Sequence, residues 1–151
     1  MALQDTIAAA DAVVLLINAA TITEAIGDFS RTFVPEFEPN DLPAPKGLVF
    51  PAGQNLTRAD RNSDNEDNVI EVGIGRKLTG ADAETTDIET QMLTVEEVIA
   101  ELRKKANKRL TLAGGEVLAF RKLSVTLFVP ELFRKHVALS VVRIEYRGFS
   151  A

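Results

Sequence analysis

Gly47-Leu48-Val49-Phe50-Pro51-Ala52, a polar run from Gly53 to Asp67, and Asn68-Val69-Ile70-Glu71-Val72-Gly73-Ile74-Gly75-Arg76-Lys77-Leu78 decide how this chain folds. In the last segment Ile70, Val72 and Ile74 alternate with Glu71, Gly73 and Gly75. That period of two predicts a strand with one buried face. Gly73 and Gly75 leave its other face nearly bare, so another backbone can approach closely there. The first segment is a shorter strand. The run between them has Leu56 as its only large apolar residue and reads as a long exposed polar loop at 53–67. Loops of that length in a compact domain usually exist to touch a partner or a ligand.

Working outward, Leu3, Ile7, Ala10, Val14 and Ile17 recur at helical steps and predict a helix over 2–18. Arg31 to Glu38 is extended, and Pro35 places it at a sheet edge or bulge because proline cannot donate a ladder hydrogen bond. Ile88, Met92, Val95, Ile99 and Leu102 form an apolar stripe over 87–107, with Thr86 and Glu89 at capping-box spacing. Leu123, Val125, Leu127 and Val129 then alternate with Lys122, Ser124, Thr126 and Phe128. Residues 130–135 form a loop or single helical turn, and the last strand runs from Val137 to Arg147. The order α-β-β-β-α-β-β predicts a single α+β domain over 1–151. Its sheet is mainly antiparallel, of about five strands, packed with two helices.

The 151 residues are enough to bury a real core. A net charge of -5 argues against general nucleic-acid binding, which needs a basic surface. There are no cysteines, so thiolate metal sites and disulfides are excluded. The apolar stretch Ala8–Ala20 is broken by Asp11 and Asn18 and is too short to span a bilayer, and no basic residue precedes Arg31. The expectation is a soluble chain with no membrane partner.

Little in the sequence points to catalysis. His136 is the only histidine, and no nucleophile–base pair is visible, so an enzyme is not expected and no cofactor is called for. Gly73-Ile74-Gly75-Arg76-Lys77 lies inside a strand pattern, whereas a phosphate-binding glycine loop opens a helix. Asp60, Asn62, Asp64, Glu66 and Glu71, with Asn68, fall at the spacing of a calcium-binding loop. Against that reading, Asp67 stands where such loops carry an apolar residue, no helices flank the run, and Glu71 lies in a strand. A solvated acidic loop is the better reading, and a calcium-dependent binding module stays as the alternative outside structural roles.

Several segments in order resemble the tail terminator family of long-tailed bacteriophages, small proteins that cap the tail tube. They are Phe33-Val34-Pro35-Glu36-Phe37-Glu38-Pro39-Asn40-Asp41-Leu42, then Gly47 to Gly53, Thr57-Arg58-Ala59-Asp60-Arg61-Asn62-Ser63, and Val69 to Leu78. After the long helix, Leu139-Ser140-Val141-Val142-Arg143-Ile144-Glu145-Tyr146-Arg147 closes the set. The chain departs from the family pattern at Glu116–Phe128. The resemblance implies a virion protein at the head-proximal end of the tail, assembled in the host cytoplasm. It implies a homo-oligomeric ring, usually a hexamer, that ends polymerisation of the tail tube protein and meets the head-side connector, with DNA passing only as non-specific cargo. A head-completion or neck ring one layer nearer the capsid is the alternative within virion assembly. Ring contacts are heterologous and need two different surfaces. The candidate contact residues are Phe33, Val34, Pro35 and Phe37 on the proline-edged strand, Leu56, Arg58 and Arg61 on the loop, and Gly73 and Gly75 on the bare strand face.

Overall fold

The computed structural model describes residues 4–23, 26–33, 44–58, 64–78, 81–134 and 136–150. In chain order it contains α1 (Gln4–Asn18), β1 (Ser30–Arg31), β2 (Lys46–Arg58), β3 (Asp64–Lys77) and α2 (Ala81–Leu102). Then follow β4 (Arg109–Thr111), β5 (Val117–Thr126), the single turn α3 (Pro130–Phe133) and β6 (Val137–Ser150). The fold is α+β. One six-stranded sheet has the order β1-β2-β3-β6-β5-β4. It is mixed rather than purely antiparallel, because β1 runs parallel to β2 through Ser30↔Leu48 and Arg31↔Val49. The expected element order roughly holds, with β4 added and the expected turn at 130–135 formed as α3.

The polar run is the main correction. Gly53–Arg58 completes β2 and Asp64–Asp67 opens β3, paired from Gly53↔Val69 out to Arg58↔Asp64. β6 continues the sheet alongside, from Asp64↔Ser150 to Lys77↔Val137. The segment is therefore two strands of a three-stranded finger, and only 59–63 lies outside the described residues. Backbone ladders do not need apolar side chains when cross-strand polar pairs fill the surface. Here Gln54 Nε2 donates to Asn68 Oδ1 at 2.8 Å, and the Arg147 guanidinium meets both Asp67 oxygens at 2.6 and 2.8 Å.

α1 touches β1, β2 and β3 near one side of the sheet and also β4 at the other, so the sheet curls around it. Ala9 and Ala10 are fully buried, and their small side chains let the helix sit close. The main core joins Val13 and Ile17 of α1 to Val49, Ile70, Val72, Ile74, Val142 and Ile144 of the central strands. At one margin Phe29 packs on Gly47. A Cβ there would lie 2.6 Å from Phe29 Cδ2 and Cζ, so the strand needs glycine at that point. Asn18 holds Phe29 from the helix end: its Nδ2 donates to Phe29 O at 3.0 Å and its Oδ1 accepts from Phe29 N at 2.7 Å.

α2 starts at Ala81, before the expected position, and stops at Leu102, so Thr86 and Glu89 sit within the helix and Arg103, Lys104 and Lys105 beyond it. The reverse side of the sheet is divided. Leu48, Val137 and Leu139 are covered by Val129 and Leu132 of the α3 segment. Towards the finger the same side is a charged ladder, with Glu71 3.5 Å from Arg143 and Asn55 Nδ2 donating to Glu145 Oε1 at 3.3 Å.

Candidate functional site

The structure spreads the candidate contact residues along the sheet. Phe33 lies just past β1, 61% exposed, with the Arg31 guanidinium 4.8 Å from its ring centroid. Val34, Pro35, Phe37 and Arg61 lie outside the described residues. Leu56 is 55% exposed near the far end of β2, and Arg58 closes that strand opposite Asp64. Thr32 donates to Val49 O, so the Phe33 side of the chain and Leu56 are about 20 Å apart along β2. They do not form one patch.

Gly73 and Gly75 are not a docking edge. Gly73 is paired with Leu48 on one side and Val141 on the other, and Gly75 with Lys46 and Leu139. Both glycines are buried mid-sheet, on the side that carries Leu48 and Leu139. The expected bare face is filled from within the chain.

The calcium-loop reading also meets a correction. Asp60 and Asn62 lie outside the described residues, while Asp64, Glu66 and Glu71 all stand on β3. Glu66 and Glu71 are an odd number of residues apart and so face opposite sides of the sheet. Glu66 is buried on the α1 side, and Glu71 pairs with Arg143 on the other. They cannot close around one ion. Among the described residues no cluster of acidic or histidine side chains could hold a metal. His136 is in an exposed left-handed turn (φ 61°), and its carbonyl accepts from Leu78 N at 2.7 Å.

Two polar arrangements escaped the sequence reading. Gln91 is fully buried on α2 and bridges helix to sheet. Its Nε2 donates to Ile74 O at 2.6 Å and to Ser140 Oγ at 3.0 Å, and its Oε1 accepts from Arg76 Nε at 2.9 Å. The signal was available, since Gln91 lies four residues before Val95 and seven before Val98. Near the start of α1, Thr6 Oγ1 donates to Asn68 Oδ1 at 3.1 Å. Beside Asn68 stands Tyr146, whose phenol is pushed far up by burial and stays protonated. Both networks fasten a helix to the sheet.

The sheet itself ends in two edges. At one, among the described residues, β1 pairs with Leu48 and Val49 of β2. At the other, β4 pairs with Val117, Leu118 and Ala119, and Phe120 N donates to Lys108 O. Beyond that, among the described residues no strand pairs with the outer side of Arg121–Thr126. Val125 and Leu127 are exposed there, beside a shallow cleft of about 290 Å³ lined by Phe128, Pro130, Phe133 and Arg134. Among the described residues the sheet thus has two unlike edges, at β1 and at β5. The chain matches no protein-family model, and none of the curated proteins is significantly similar to it.

Proposed function

We propose that this protein is a virion structural subunit whose ring caps a phage tail tube, ends its polymerisation and joins the tail to the head-side connector. The reading starts from the ordered resemblance to tail terminators over Phe33–Leu42, Gly47–Gly53, Thr57–Ser63, Val69–Leu78 and Leu139–Arg147. The observation that carries it furthest is the pair of unlike edges on one sheet, at β1 and β5, whose outer sides no strand covers among the described residues. A closed ring needs each subunit to offer two different, mutually complementary surfaces. The overall acidity suits a channel through which DNA slides without being gripped. In this reading the partners are further copies of the chain, the tail tube protein and the connector, and no residue acts catalytically.

Deletion of the gene from a producing phage, followed by negative-stain electron microscopy, tests this. Over-long tails detached from filled heads are expected. Tails of normal length that fail to join heads would move the subunit to the neck ring. Intact infectious particles would overturn both virion roles.

A further inference from the structure

We propose that the basic cluster around the β5 bulge, Lys108, Arg109, Arg121 and Lys122, is a contact site for the phosphodiester backbone of a DNA duplex. The contact itself does not depend on the capping role; within that role the duplex is the DNA passing through the ring. A regular strand sends successive side chains to opposite faces. β5 breaks that rule between Phe120 and Lys122. Phe120 lies opposite Tyr146 and packs edge-on against its ring in the interior, whereas Lys122 lies opposite Glu145 on the reverse side of the sheet. Arg121 is the extra residue, and bulges re-aim side chains. It joins Arg147 in lowering the Asp67 carboxyl, so its guanidinium also stands on the reverse side. Two consecutive bases therefore face outward together. β4 adds Arg109, opposite Ala119, and Lys108, whose carbonyl accepts from Phe120 N.

All four bases are exposed, and among the described residues none of them has an ion-pair partner. Glu145, opposite Lys122, accepts instead from Asn55 Nδ2. The net charge of -5 averages over unlike regions, since α2 carries acidic residues and no basic one. Bases on an edge strand also discourage sheet-to-sheet pairing. Charges on β5 alone would serve that purpose, and it leaves Lys108 and Arg109 unexplained. A protein partner needs an apolar centre to bury. The residues beside these bases on the reverse side of β5 are Ala119 and Ser124. No described aromatic side chain is exposed beside the cluster to stack an unpaired base. The backbone of a duplex is the polyanion that fits. Electrostatic contacts of this kind let a protein slide along DNA, which is compatible with passage.

Fluorescence anisotropy of a labelled mixed-sequence duplex, titrated with the full chain over a range of salt, tests this. Log K should fall linearly with log salt, with a slope of about −3 to −4 for these four bases. Arg121→Gln with Lys122→Gln should weaken binding about tenfold or more at low salt and bring the slope nearer zero by about 2. Lys77→Gln, at the other end of β3, should leave both unchanged. Each variant is first shown to melt as the wild type does.

A wild type that fails to bind the duplex at low salt, at its highest soluble concentration, would overturn the proposal. So would an unchanged slope in the double variant, or an equal loss in Lys77→Gln. Displacement of the duplex by polyglutamate at equal charge would assign the cluster to an acidic protein surface and overturn it as well. Duplex binding through these residues together with normal particles in the deletion phage would retain the site and overturn the capping role.

Discussion

At the scale of single residues, opposite charges that the sequence scatters are brought into register. Asp67 and Arg147 are directly opposite on β3 and β6, and their side chains are 14% and 20% exposed. The Arg147 hydrogen bonds hold the Asp67 carboxyl below its ordinary value of 3.8, against the upward push of burial. A depressed carboxylate contributes stability that is whole above its unfolded value and lost as pH falls through the folded one. Asp67→Asn should therefore cost about 1 kcal/mol at neutral pH, after allowance for solvent screening. Urea melts of variant and wild type should converge as the pH drops from about 4 towards 2. A difference that persists in acid would mean the pair acts through shape rather than charge. Glu97 is likewise lowered, by Thr23, whose N–H and hydroxyl both donate to its carboxylate at 2.8 and 2.6 Å. That contact ties the segment after α1 to α2.

At the scale of elements, α2 shows where sequence periodicity succeeds and where it slips. The helix is present as expected, but Met92 is 39% exposed, and the buried line runs through Gln91, Thr94, Val95, Val98 and Leu102. An apolarity count passes over Gln91 because its partners lie on β3 and β6, far away in sequence. Gln91→Leu should cost about 2 kcal/mol, since it strips buried Arg76 Nε of an acceptor. Thermal denaturation would read this, and an unchanged midpoint would refute the helix-to-sheet bridge. The β2–β3 finger yields a second test. Replacing Thr57–Asn65 by Asn-Gly closes the hairpin at the Leu56↔Glu66 pair with a two-residue turn suited to strand twist. The shortened chain should keep its circular dichroism and a cooperative melt. Excising 55–66 outright should not, because it joins Gln54 directly to Asp67 with no turn.

At the scale of the whole molecule, the sheet curls around α1, which touches strands from both of its sides. The helix meets β1 to β3 on one side and β4 on the other, so it cannot shift from one set without colliding with the other. Ala10→Leu adds volume at a fully buried position and should cost about 1–3 kcal/mol. Leu15→Ala, at a position 73% exposed, should change stability by less than about 0.5 kcal/mol. Equal losses in guanidinium melts would mean the helix is not clasped as described. The α+β class, α1, α2 and the buried face of β3 were all legible in the sequence. Periodicity is a local property, and apolar residues at fixed steps reveal which face is dry. The polar strands of the finger, the filling of the Gly73–Gly75 face, the buried Gln91 bridge and the open β5 edge were decided by tertiary structure. Each depends on which distant strand lies alongside, and on whether the sheet's own neighbours or solvent take up its remaining hydrogen bonds.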